Sequence, residues 1–152
     1  MTGLDSLYQE LILDHSKHPV GNPLHEVGDA AHADSHQKNP VCGDEITLRV
    51  AVDGDRITEV SWEGTGCSIS QASASMLATL VAEEVEGEGM SRADAIALIE
   101  GFREALRSRG TIPLDEETFG DAAALSGVSK FSARVKCAML AWVALEDGLA
   151  RA

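Results

Sequence analysis

Ile46-Thr47-Leu48-Arg49-Val50-Ala51-Val52-Asp53-Gly54-Asp55-Arg56-Ile57-Thr58-Glu59-Val60-Ser61-Trp62 is the stretch that decides the fold. Ile46, Leu48, Val50 and Val52 recur every second position, the pattern of a strand with one buried face. Asp53-Gly54-Asp55 is a turn signal, and Ile57 to Trp62 returns as a second strand, so the stretch reads as a β-hairpin. The facing of the second strand is ambiguous: Thr58, Val60 and Trp62 share one side and Ile57 takes the other. Two strands alone are marginal in water, so a third is required. The candidate is Ala31–Gln37, within an otherwise polar, glycine-containing stretch from Gly21 to Asn39 that reads as loop.

Working outward, helices flank this hairpin. Leu4, Leu7, Tyr8, Leu11 and Ile12 fall at three- and four-residue spacing, an amphipathic helix that His18-Pro19 stops. Gly64-Thr65-Gly66 breaks the second strand, its glycines permitting a sharp turn. A helix rich in alanine and serine then runs from about Ser68 to Glu84, its small residues suggesting close approach to another backbone. After an acidic linker, Glu83 to Gly89, Ser91 reads as the N-cap of a helix through about Ser108, which Arg109-Gly110 ends. Leu114 to Ala124 reads as a short helix capped by Asp115, Gly127 as a break, and Ala133 to Leu149 as the last helix. The order is α+β: a small three-stranded antiparallel sheet with helices packed on one face, a sandwich. One domain is expected over residues 1–152.

Composition narrows the function. The chain has 152 residues, 25 acidic against 12 basic, for a formal net charge of −13, and 44% of it is apolar. It is foldable, not a disordered acidic tail. No basic stripe is present to track phosphates or an anionic membrane surface, so neither nucleic acid nor membrane is expected as a partner. No secretory signal is visible in Met1-Thr2-Gly3-Leu4-Asp5-Ser6, and no apolar run approaches the roughly 18–20 residues of a spanning helix. Three cysteines, an odd number over a long chain, do not make a disulfide framework, and the expected compartment is the reducing cytoplasm.

Each cysteine has its own setting. In Asn39-Pro40-Val41-Cys42-Gly43-Asp44 the Asn-Pro turn and Gly43 let Cys42 and Asp44 point to one side, where both could reach one metal. The bland reading is a buried thiol beside a turn-forming aspartate. In Gly64-Thr65-Gly66-Cys67-Ser68-Ile69-Ser70, Cys67 sits at a helix N-terminus, where amides and dipole favour a thiolate; it could equally be a small packing residue. In Arg134-Val135-Lys136-Cys137-Ala138-Met139-Leu140-Ala141-Trp142, a cation precedes Cys137, which could otherwise belong to the apolar stripe with Leu140, Ala141 and Ala144. Taken together, three thiols at element boundaries plus a carboxylate make a four-ligand set suited to tetrahedral zinc, and the thiols suit an iron–sulfur cluster too. His15, His18, His25, His32 and His36 are spaced irregularly on a loop and make no metal-site pattern.

Three segments carry a resemblance. Asn39-Pro40-Val41-Cys42-Gly43-Asp44, Gly66-Cys67-Ser68-Ile69-Ser70 with the following Ala72-Ser73-Ala74-Ser75-Met76, and Lys130-Phe131 through Trp142 resemble, in that order, the IscU/NifU N-terminal-domain family of iron–sulfur cluster assembly, nearest its SufU branch. The resemblance runs from the Leu7-Tyr8 and Asp14-His15 opening to the final helix. It implies the α+β sandwich, and a zinc site of Cys42, Asp44, Cys67 and Cys137. It also implies that Cys42 accepts persulfide sulfur from a pyridoxal-phosphate cysteine desulfurase of SufS type, for delivery to a downstream assembly scaffold. Scaffold-type members of the family carry a histidine directly before the third cysteine, where this chain has Lys136, and are shorter between the second and third cysteines. The additional acidic helical segment here lies at about 83–121. Both departures favour a zinc-dependent sulfurtransferase over a scaffold building a transient 2Fe–2S cluster, with iron in place of zinc; a structural zinc module for partner binding is the second alternative. Arg134 and Lys136 are candidates for steering the persulfide or the partner.

Overall fold

The computed structural model describes residues 3–40, 43–86 and 90–152. The elements run α1 (Gly3–Lys17), β1 (Ala31–Asn39), β2 (Asp44–Asp53), β3 (Arg56–Thr65), α2 (Ser68–Glu86), β4 (Met90–Ser91), α3 (Arg92–Arg107), α4 (Glu116–Phe119), a 3-10 segment (Gly120–Lys130) and α5 (Ser132–Arg151). The sheet is antiparallel in the order β1-β2-β3-β4, with α2 and α5 laid against one face. It has four strands where the sequence predicts three. The fourth is two residues long, Met90 and Ser91, and pairs with Ile57 and Arg56. Two residues leave no alternation to read, and Ser91 serves at the same time as the expected N-cap, its hydroxyl accepting the amide of Asp94 at 3.0 Å.

The facing of β3 is resolved by a bulge. Val50 pairs with Val60 and Val52 with Ile57, so one extra residue, Thr58, stands on the β3 side. That places Ile57 on the same buried face as Val60 and Trp62 and leaves Thr58 exposed, against the simple alternation. β1 extends the candidate strand to Asn39, and only Ala33, Ser35 and Asn39 of it are buried, so its hydrophobic signal is faint. Ser35 is held because its hydroxyl donates to Asp147 of α5 at 2.7 Å, a bond that keeps the Asp147 carboxyl below its ordinary pKa.

α2 is buried almost all round. Its small residues Ala72, Ser73, Ala74, Ser75 and Ala78 let α1, α5 and β3 approach it together. Its three buried serines are satisfied: Ser70 donates to the Cys67 carbonyl, Ser73 donates to the Ala138 carbonyl and accepts the Trp142 indole N–H, and Ser75 accepts the Val20 amide. His15 lies buried between Ser75 (2.7 Å) and Asp121 (2.9 Å), tying α1 to α2 and to the 3-10 segment. In α1, Tyr8, Leu11 and Ile12 pack on the core as expected, whereas Leu7 is 51% exposed.

The stretch after α3 departs from the expected short helix over 114–124. Asp115 does cap a helix, accepting the Thr118 amide, but it ends at Phe119, and eleven residues of 3-10 helix carry the chain through Gly127 to Lys130. One cluster of buried residues takes in the sheet, α2, α3, the 3-10 segment and α5. Its aromatic centre is Phe102 of α3 stacked on Trp142 of α5 at 3.8 Å and 5°, with Phe119 at 6.2 Å from Phe102. No helix among the described residues is long and apolar enough to cross a membrane.

Candidate metal centre

Asp44 opens β2, Cys67 stands directly before α2, and Cys137 lies in the second turn of α5. Antiparallel pairing of β2 with β3 brings Glu45 opposite Thr65, which draws the start of α2 back over Asp44. α5 crosses under β1 and β2 and presents Cys137 from below. The ligand atoms of these three side chains all lie within 4.8 Å of one another, and they form the one such group among the described residues. Cys42 lies outside the described residues.

The local contacts explain the arrangement. Asp44 is 1% exposed, and its Oδ1 accepts the backbone N–H of Cys67 at 2.9 Å while the Cys67 thiol stands 3.9 Å from Oδ2. The Cys67 carbonyl accepts the Gln71 amide, making Cys67 the first capping position of α2, and its side chain is exposed. Cys137 is buried, with the Asn39 amide directed at its sulfur from 3.8 Å. A sequence reading takes Asn39 only as a turn former; its burial at the end of a polar edge strand is the property that the pattern hides.

The glycines before Cys67 serve close approach, not an unusual turn. A Cβ on Gly64 would stand 2.2 Å from the Glu45 carbonyl oxygen. One on Gly66 would stand 2.4 Å from Asp44 Oδ1 and 2.5 Å from Ser70 Oγ. Gly66→Ala is therefore expected to push the Asp44 carboxylate off the Cys67 amide and to weaken binding of any metal held by this group about tenfold to a hundredfold, the usual cost of disturbing groups that orient ligands. Competition with a chromophoric chelator reads this directly; unchanged affinity with an intact circular dichroism spectrum would refute it.

The donor set fits zinc. Two sulfurs bound at about 2.3 Å around a tetrahedral ion stand about 3.8 Å apart, so the three donors need draw in by no more than about 1 Å. Asp44 is a buried carboxylate with no ion-pair partner among the described residues, and buried charges are otherwise paired or bound to metal.

The remaining candidates lie elsewhere. Arg134 and Lys136 diverge around α5. Arg134 stands 5.3 Å over the ring of Phe131 and lines an apolar groove with Tyr8, Ile12 and Ile69. Lys136 faces the opposite way, into a cleft shared with the C-terminal end of α3. None of the five histidines is in the donor group: His15 is buried on the inner side of α1, His25 pairs with Glu59, His36 with Glu45, His32 bonds the Ala30 carbonyl, and His18 is exposed.

Comparison with known proteins gives the family. Residues 7–138 match the family model of the NifU-like N-terminal domain. A Bacillus subtilis (strain 168) protein named zinc-dependent sulfurtransferase SufU is 40% identical, covering 97% of this chain and 92% of the relative. A Streptococcus pyogenes serotype M1 protein named iron–sulfur cluster assembly scaffold protein IscU is 38% identical, covering 99% and 87%. A crystal structure from Fervidobacterium islandicum AW-1, described as a putative assembly scaffold protein for the SUF system, superposes with a TM-score of 0.74 at 31% identity, covering 92% of this chain and 94% of that one. With two thiols and a carboxylate converging at the motif positions, and with matches spanning nearly its whole length, this chain belongs to the NifU-like N-terminal domain family of iron–sulfur cluster assembly proteins.

Proposed function

We propose that the protein is a zinc-dependent sulfurtransferase that accepts persulfide sulfur from a cysteine desulfurase, and that Cys42, Asp44, Cys67 and Cys137 hold the zinc. The observation that carries the reading is the mixed donor group of Asp44, Cys67 and Cys137, with a lysine rather than an imidazole directly before Cys137. Bound zinc would supply redox-silent charge that keeps the thiols deprotonated and protected from oxidation.

The chain's own residues do the rest. The Cys42 thiolate attacks the outer sulfur of the desulfurase persulfide; a new S–S bond forms, the old one breaks, and the desulfurase cysteine leaves as a thiolate. No net oxidation occurs, so no further reactant is required. Asp44 fixes the Cys67 backbone through the amide bond at 2.9 Å. The groove lined by Ile69, two residues after Cys67 in the chain, offers the partner an apolar surface that Arg134 borders, with Leu13 50% and Phe131 56% exposed. In this reading residues 1–152 act as one domain in the cytoplasm, the helical segment at about 83–121 included, and the sulfur passes on to an assembly scaffold.

The test is turnover of a pyridoxal-phosphate cysteine desulfurase with zinc-loaded and with metal-stripped protein. Severalfold stimulation by the zinc form, and little by the stripped form, is the expected result. Absence of stimulation would shift the assignment to the scaffold role carried in the name of the Streptococcus relative.

A further inference from the structure

The cleft that receives Lys136 has no counterpart in the sulfur-transfer reading. It is about 400 Å³ in volume and lies between the end of α3 and the start of α5. Arg103, Arg107, Arg109 and Lys136 line it, together with Ser129 and Ser132, and no acidic residue does. In a chain of net charge −13, four of the 12 cationic side chains meet at this one depression. Arg103 is committed to Glu146 at 2.8 Å and Glu100 at 2.5 Å. Among the described residues, Arg107, Arg109 and Lys136 have no ion-pair partner.

Helix dipoles account for part of this and not for the rest. Arg107 and Arg109 stand at the C-terminal end of α3, where cations are favoured. Lys136 stands near the opposite, N-terminal end of α5, where the helix dipole gives a cation no advantage. Arg109 also has φ 58°, the one non-glycine residue among those described in the left-handed region, where glycine or asparagine is the ordinary choice after a helix. A guanidinium is thus kept at the cleft mouth against the local backbone preference.

Between the cations the floor is apolar, formed by Leu106, Val135, Met139 and Val143. A bare phosphate or a nucleic acid backbone has nothing to set against such a floor. We propose that this cleft is a docking site for an acidic, amphipathic segment of a partner protein, with carboxylates on the arginine and lysine rim and apolar side chains on the floor. Overall repulsion from the chain does not forbid this, because at physiological salt a charge is felt over only about 8 Å and the charged groups that line the cleft are all cationic. The site is separate from the sulfur-transfer reading and stands or falls without it.

The test is fluorescence anisotropy of a labelled peptide in which leucines alternate with pairs of glutamates. The wild-type chain binds it saturably at low ionic strength, and less well as salt rises. The variant carrying Arg107→Gln and Arg109→Asn, the latter suited to the left-handed backbone, binds about tenfold more weakly or worse with an unchanged thermal midpoint. Arg107→Lys retains most of the binding. Four results would overturn the proposal: no saturable binding, equal binding by the double variant, displacement by inorganic phosphate as effective as by the peptide, or self-association through this face that the double variant loses. Zinc content and desulfurase stimulation, measured on the same samples, separate failure here from failure of the sulfurtransferase assignment.

Discussion

Cys42→Ala is expected to abolish stimulation of the desulfurase while leaving a protein that still binds zinc. Asp44, Cys67 and Cys137 already stand within 4.8 Å of one another, and three protein ligands suffice for many zinc sites, with water in the fourth place. Losing one thiolate should weaken zinc by about a hundredfold, equivalent to about 3 kcal/mol, without emptying the site at micromolar metal. Sulfur acceptance, in contrast, loses its nucleophile, because in the proposed site Cys67 and Cys137 stay committed to the metal. Asp44→Ala gives the opposite pattern. It weakens zinc to a similar degree and frees the Cys67 amide, but keeps Cys42, so part of the stimulation survives. Metal analysis, turnover and visible absorption on both variants read out the difference. Stimulation that outlives Cys42, or a coloured iron–sulfur cluster trapped by Asp44→Ala, would transfer the assignment to the scaffold role.

Phe102→Ala should be the most damaging single change in the core. Phe102 is fully buried, and its ring lies flat on Trp142 at 3.8 Å. Trp142 cannot shift to fill the space, because its indole N–H is bonded to Ser73, whose hydroxyl is in turn bonded to the Ala138 carbonyl. A cavity that cannot collapse costs about 3–5 kcal/mol, a large share of the roughly 5–15 kcal/mol that holds a domain together. Urea titration should show that loss at nearly constant m, and the thermal midpoint should fall by roughly 10 °C or more. A loss below about 1 kcal/mol would mean that α3 is a loosely attached appendage.

Where a residue's role depends on its neighbours in sequence, the reading succeeded. The hairpin, the Ser91 and Asp115 caps and the start of α2 all follow from local pattern. The thiols at element boundaries suggested a common centre, and the structure brings Cys67 and Cys137 to Asp44. What escaped depends on pairing between distant segments. The Thr58 bulge exists only against β2, β4 is too short to leave a period, and Asn39 matters because α5 passes beneath it. Gly64 and Gly66 look like turn residues, and only the proximity of Glu45 and Asp44 reveals what they exclude. The segment after α3 was missed for another reason: 3-10 and α-helical periods are not distinguishable over a short alanine-rich run.

The donors come from the first residue of β2, the cap of α2 and the second turn of the final helix, and this has a consequence during synthesis. The sheet and α2 leave the ribosome well before α5, so Asp44 and Cys67 are exposed to the cell while the site has no third side. The group of Asp44, Cys67 and Cys137 is complete only when the last helix docks, so under the proposed metal role full-strength binding would report that the chain has been made through α5 and folded. A chain truncated before Cys137 would keep most of its sheet but lack both that thiol and the buried wall the last helix supplies to the donor group.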